Sequence, residues 1–204
     1  RKPTSAVVWP SLSLEGNLIA PAMLSRITDP DVAGAEAASY GLRKGLTLRE
    51  EISQAFRVGQ AHFDDFTKLT LPTPEATTRF IRGLMSEAFG FTDLSPAAVP
   101  LAFRAGDCRI PIAVCPPSDA LDKRSAFLSL DRPRSAAYAV QDHLNAQDTA
   151  LWGLATNGHH LRLMRDNASL TRPAHVEADL RQIFTTEDIA SFTALWLLIL
   201  SLIH

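Results

Sequence analysis

The spacing of apolar residues changes near Pro96, and that change limits the folds open to the chain. Before it, apolar side chains recur at Leu48, Ile52, Phe56, Phe63 and Phe66, in steps of three, four or seven that keep one helix face buried. Thr47-Leu48-Arg49-Glu50 forms a capping box at the start of that helix. The Thr hydroxyl can accept the Glu50 amide, and the Glu50 carboxylate can accept the Thr47 amide. A second helix opens with Pro74 at its first position and Glu75 in its first turn. It buries Phe80, Ile81, Leu84, Met85 and Ala88, and stops at Gly90, which suits a left-handed cap. The aromatic stripe Phe56, Phe63, Phe66 reads as core.

After Pro96 the pattern is that of strands. Residues 99–103 and 110–114 read as two strands joined by a turn at Gly106-Asp107. A polar, charged loop over 118–134 follows, then a helix from Ser135, a good N-cap, through Tyr138, Val140 and Leu144. A buried-type strand at 151–156 ends in Asn157-Gly158, the chemistry of a tight hairpin. Its partner at 160–165 alternates, with Leu161 and Leu163 on one face and His160 and Arg162 on the other. Residues 175–180 read as a strand entering a helix at 181–184. The apolar run 189–203 is shorter than the roughly 20 residues a membrane span needs, so it is expected to be a buried helix and no membrane is expected as a partner. The predicted fold is α/β of the α+β kind: a helical region over 1–95, a mixed sheet with flanking helices over 96–185, and the start of a further helix over 186–204. The chain opens on Arg1 and closes within an apolar run, so it is expected to be a stretch of a longer protein.

With 46% hydrophobic and 21% charged residues the chain can build a core rather than remain disordered. Its 20 basic and 22 acidic residues leave a net charge of −2, so any contact with nucleic acid must come from a local patch and not from a general positive field. One such patch is legible. Lys123, Arg124, Arg132 and Arg134 share the charged loop, opposed by the neighbouring Asp122 and Asp131. They read either as phosphate contacts or as a solvated loop. Arg162, on one strand face with His160, reads either as a further DNA contact or as a surface ion pair. Cys108 and Cys115 have no metal-ligand spacing, and a reduced, cytoplasmic protein is expected. Trp9-Pro10 interrupts the early apolar run, which does not read as a signal peptide. His159 and His160, as strand neighbours, would face opposite ways, and His62, His143, His175 and His204 lack partners at ligand spacing. No zinc or other metal site is therefore read.

The run Trp152-Gly153-Leu154-Ala155-Thr156-Asn157-Gly158, followed by Leu161-Arg162-Leu163-Met164-Arg165-Asp166-Asn167, resembles a signature of type IIG restriction–modification enzymes. Related methyltransferases of the DISARM and BREX phage-defence systems look similar. Gln141-Asp142-His143-Leu144-Asn145, then Val176-Glu177-Ala178-Asp179-Leu180 with Ile183-Phe184, then Ala194-Leu195-Trp196-Leu197-Leu198 match further pieces in order. Gly16-Asn17-Leu18-Ile19-Ala20-Pro21 and Tyr40-Gly41-Leu42 resemble the family's N-terminus. The resemblance implies an N-terminal PD-(D/E)XK nuclease-like region of an adenine-specific DNA methyltransferase. Such a nuclease holds Mg²⁺ with an Asp on one strand and an (Asp/Glu)-x-Lys on the next. Here the strand before the turn offers no Asp, and roughly Pro116-Pro117-Ser118 stands where Glu-x-Lys is wanted. Gln141 occupies the helix position that supports catalysis in active relatives. No catalytic residue is assigned, and a degenerate nuclease-like domain for DNA binding or for docking other subunits of a defence complex is the leading expectation. The alternatives are an active Mg²⁺-dependent endonuclease using Glu87, Asp107 and Asp122, and a purely structural scaffold. S-adenosylmethionine and methyl transfer are expected in the remainder of the parent protein, because neither an Asn-Pro-Pro-aromatic motif nor a Gly-rich cofactor turn occurs in this chain.

Overall fold

A computed structural model describes residues 9–16, 47–128, 131–165 and 174–203. The first strand, β1, spans Leu12–Glu15 and was not foreseen from the sequence. The first helix, α1, spans Leu48–Thr67 behind the expected capping box: Glu50 N–H donates to Thr47 Oγ1 at 3.2 Å, and Thr47 N–H donates to Glu50 Oε2 at 2.7 Å. The second, α2, spans Pro74–Gly83 with Thr73 as its N-cap, and runs on as a π-helical turn over Leu84–Ala88. Gly90 closes it with a φ of 76°, where an L side chain would be strained.

The strand expected at 99–103 forms later and is shorter. β2 is Ser95–Pro96 and β3 is Phe103–Ala105. Between them Leu101 N–H donates to the Ala98 carbonyl at 3.0 Å, which turns the chain there. Pro100 has no N–H to give a ladder, so the preceding stretch cannot join one as a regular strand. β4 is Ile110–Val114, α3 is Ala136–Ala146 and β5 is Trp152–Thr156. β6 is His160–Arg165, β7 is His175–Asp179, α4 is Leu180–Thr185 and α5 is Ile189–Ile203. The seven strands make one sheet in the order β1-β7-β6-β5-β4-β3-β2. β3 and β4 pair antiparallel, with Phe103 opposite Ile112. β4 and β5 pair parallel, with Ile112 opposite Leu154, and α3 supplies the crossover that parallel strands need. The hairpin β5–β6 and the pairs β6–β7 and β1–β7 are antiparallel.

The sheet is covered on both faces, and its strands alternate between them. Ile112, Leu154, Leu161 and Leu163 join the larger core with Phe56, Phe63, Phe184 and Phe192 from α1, α4 and α5. Ala113, Cys115, Ala155 and Met164 face the other way, against Val140 and Leu144 of α3. Helices from before Pro96 and strands from after it therefore share one apolar cluster. The indole N–H of Trp196 donates to the Ala88 carbonyl at 2.9 Å, satisfying a buried group at the end of the π turn. Among the described residues no helix is long and apolar enough to cross a membrane. Residues 17–21, 40–42 and 166–167, which contribute to the family resemblance, lie outside the described residues.

Candidate nucleic-acid interface

The basic loop leaves the carboxyl end of β4 and returns at the N-terminus of α3. Its described residues are held by main-chain and side-chain bonds. Cys115 N–H donates to the Thr156 carbonyl at 3.0 Å, extending the parallel pairing by one residue. Asn157 does two jobs. Its Oδ1 accepts from the amides of His159 and His160 at 3.0 and 2.8 Å, which shapes the hairpin turn. Its Nδ2 donates to the Asp119 carbonyl at 3.0 Å, which ties the turn to the loop. Ser125 Oγ donates to Asp119 Oδ2 at 2.6 Å, and Ser125 N–H donates to the Arg134 carbonyl at 2.9 Å. Leu121 and Leu128 are buried in the α3-facing core. These bonds anchor the loop around Asp119, Ser125 and Arg134, while Lys123, Arg124 and Arg132 are exposed and Arg134 half-buried.

Asp122, Arg124, Arg132, Arg134 and Tyr138 line a cavity of about 470 Å³ at the mouth of this loop. Arg134 Nη1 lies 3.3 Å from Asp142 Oδ2, and the guanidinium carbon sits 5.9 Å from the Tyr138 ring centre. Lys123 belongs to the same loop without lining the cavity. Of the two readings for Arg162, a DNA contact or an ion pair, the geometry gives the ion pair, and places the cation inside the protein and not on its surface. Arg162 lies on the expected strand face but is only 8% exposed. Its guanidinium donates to Asp122 Oδ1 at 2.7 Å, Asp122 Oδ2 at 3.0 Å and Glu177 Oε1 at 3.0 Å. Two carboxylates compensate one buried cation, and the charge faces the protein instead of a ligand. The Arg162 hydrogen bonds hold Asp122 below the ordinary carboxylate value of 3.8. Burial, with the Arg162 charge next, pushes the nearby His175 below 6.5.

The positions that a PD-(D/E)XK site would use carry no such residues. β3 reads Phe103-Arg104-Ala105 and β4 reads Ile110-Pro111-Ile112-Ala113-Val114, with Pro116, Pro117 and Ser118 following in the loop. Glu87, Asp107 and Asp122 are separately engaged or placed. Glu87 Oε2 lies 2.8 Å from His62 Nε2, Asp107 sits in the β3–β4 turn with a φ of 58°, and Asp122 is taken up by Arg162. Asp107 and Asp122 flank opposite ends of β4. Among the described residues no group of three or more His, Cys, Asp or Glu side chains comes together to hold a metal ion. Gln141 Nε2 donates to Asn145 Oδ1 at 2.9 Å, a bond within one helix turn. Cys108 and Cys115 are both free, and burial pushes the Cys115 thiol up to about 12, so it is inert.

Two features of the site were not singled out from the sequence. Asp119 and Ser125, which staple the loop, belong to no motif in the polar stretch 118–134. Tyr138 read only as part of a helix, yet it is 58% exposed. Its signal was helical phase: it falls about 200° from Val140, on the face away from the core. Compared with known proteins, the chain matches no family model, no curated protein and no solved structure.

Proposed function

We propose that the chain is a DNA-contacting module of a larger restriction–modification or phage-defence methyltransferase, with a nuclease-like sheet used for contact and not for cleavage. The observation that carries this reading is the convergence of Arg124, Arg132 and Arg134 on one cavity beside a stapled loop. Guanidinium groups present several donors in a planar fork that suits phosphate oxygens. The cavity also lies beyond the carboxyl end of β4, next to its parallel partner β5. Open α/β sheets commonly bind their ligands at that edge. The net charge of −2 makes such a local patch the means of holding a polyanion. The order β3, β4, α3, β5 is an antiparallel pair followed by a parallel crossover, the mixed sheet expected over residues 96–185. The lack of carboxylates on β3 and β4 favours contact over metal-dependent hydrolysis. S-adenosylmethionine and methyl transfer belong in this reading to the remainder of the parent.

Phosphate contacts release counterions, at about 0.9 units of log–log salt slope per contact on duplex DNA. Replacing Lys123, Arg124, Arg132 and Arg134 together with Ala should therefore flatten the salt dependence of DNA affinity by up to about 3.6 units. Fluorescence anisotropy with a labelled oligonucleotide over a series of salt concentrations measures this. Equal slopes for the wild-type and substituted chains would reduce the patch to a solvated surface and end the proposal.

A further inference from the structure

We propose that the arginine-lined cavity takes an unpaired nucleotide of single-stranded DNA, with the phosphate on the guanidinium groups and the base on exposed aromatic rings. This rests on the DNA-contact reading above and specifies which form of DNA the site recognises.

The distribution of aromatic residues carries the argument. The chain has ten Phe residues, and nine of them are buried. Trp196 is also buried, and Trp9 and Trp152 are half-buried. Among the described residues the exposed aromatic side chains are Phe127, at 55%, and Tyr138, at 58%. Both come from the basic loop and the helix it leads into. Tyr138 lines the cavity, and Phe127 lies in the segment that the bridge between Ser125 and Arg134 closes. Among the described residues the other aromatic rings are buried at least in part, and the two exposed ones lie on the wall of the arginine-lined cavity (Tyr138) and in the same basic loop (Phe127), the makings of a stacking platform within a cationic groove. That combination binds single strands, because every unpaired base offers a π-face to a ring. Duplex DNA presents its phosphates but keeps its bases stacked inside, so the rings would find no partner there.

The remaining geometry agrees. A volume of about 470 Å³ lies within the range of small-ligand sites and has room for a nucleotide. Arg134, paired with Asp142, stands over the Tyr138 ring and limits its movement. Two amides at the start of α3 are already taken: Ala137 donates to the Leu121 carbonyl at 3.0 Å and Tyr138 to Ser135 Oγ at 3.0 Å. Donors for a phosphate therefore come from the guanidinium groups and not from the helix end. The carboxylate in the lining, Asp122, has both oxygens engaged by Arg162, which offsets its repulsion of an anion.

The test compares three probes against the 204-residue chain by fluorescence anisotropy: a short labelled oligothymidylate, the same strand annealed to its complement, and a strand of equal length built from abasic sites. The single strand should bind about tenfold or more tightly than either the duplex or the abasic strand. Tyr138→Ala should weaken binding of oligothymidylate about tenfold and that of the duplex severalfold less, whereas Tyr138→Phe, which keeps the ring, should bind as the wild type does. Phe127→Ala should weaken the same probe selectively. Thermal melts by circular dichroism confirm that these surface variants stay folded. Duplex affinity equal to or above that of the single strand, or indifference of single-strand binding to Tyr138→Ala, would overturn the inference. If binding still depended on the arginines, the DNA-contact reading would survive that result. Binding to none of the probes that depends on the arginines would overturn both.

Discussion

Arg162 lies on the α3-facing side of β6 and reaches past the sheet to Asp122, 40 residues earlier in the chain. The bond joins a buried cation, with 10% of its side chain exposed, to a carboxylate with 72% exposed, while Glu177 on β7, at 25%, takes the other edge of the fork. Asp122 is next to Lys123 and Arg124, so Arg162 positions the basic loop through its neighbour. Removing the cation leaves Glu177 half-buried and unpaired. We therefore expect Arg162→Met to destabilise the fold by about 2 kcal/mol, below the full cost of breaking a deeply buried pair because Asp122 can be solvated. Asp122→Asn should cost less than about 1 kcal/mol, since Glu177 still compensates the guanidinium. Urea denaturation of the two variants checks the order, and a larger loss for Asp122→Asn would contradict it. The alternation of Leu161 and Leu163 with Arg162 placed the side chain on the correct face. Its partners were hidden, because sequence spacing carries no information about a carboxylate so far away along the chain.

The contact between α3 and β5 depends on a missing side chain. A Cβ at Gly153 would collide with Val140 Cγ1 and come within 3.3 Å of Pro111 Cγ. Gly153 sits in the second position of β5, opposite Met164 of β6, so the strand cannot move away without disturbing its hairpin. Gly153→Ala should therefore cost about 1–3 kcal/mol through overpacking, despite the better intrinsic strand entropy of Ala. Paired with Val140→Ala, which opens the space, part of that loss should return in a double-mutant cycle. Additive losses would show that the two residues do not meet. Elements as such were largely legible: the capping box of α1, Pro74 at the start of α2, Ser135 before α3 and the Asn157-Gly158 turn all act locally. The exceptions were short or irregular. β1 has four residues, β2 and β3 are displaced from the expected strand, and α2 ends in a π turn.

For the whole molecule, the shifted histidines and carboxylates lean in one direction. Burial is the first cause that holds His143, His159 and His175 below 6.5, so these side chains stay neutral in the folded chain at pH values that protonate the unfolded one. A depressed histidine stabilises the fold above the unfolded value and loses that contribution as the pH falls through 6.5 towards the folded value. Asp122 and Asp93 are held below 3.8 chiefly by hydrogen bonds, from Arg162 and from the Asp107 amide, respectively. Asp188 is opposed by burial, but bonds from Ser11 and Ser191 prevail and its value is also low. These carboxylates contribute above their unfolded value and lose the contribution as the pH falls through the folded one. The unfolding free energy should therefore decline from about pH 7 to 5, and again below about pH 4. Urea midpoints across that range test this, and a flat profile between pH 7 and 5 would contradict the histidine environments. Asp188 also joins distant parts of the chain: its Oδ2 accepts from Ser11 Oγ and Ser191 Oγ, both at 2.6 Å, so the segment leading into β1 is tied to the start of α5.

The sequence by itself determined what depends on near neighbours. Helical period, caps and turn chemistry act over a few residues, and they placed α1, α2, α3, the β5–β6 hairpin and the strand leading into α4 close to where they stand. It also located the basic loop, since charge density is a local count. Only the tertiary structure decided which charges remain available. Arg162 is taken up by Asp122 and Glu177, Arg134 is shared with Asp142 and Tyr138, and Arg124, Arg132 and Arg134 all line the cavity. It likewise decided that β1 completes the sheet beside β7, a pairing between residues such as Leu12 and Ala178 at nearly opposite ends of the chain. Such contacts form because folding brings surfaces together to bury apolar area, and the burial depends on the whole set of packed elements instead of any one window of sequence.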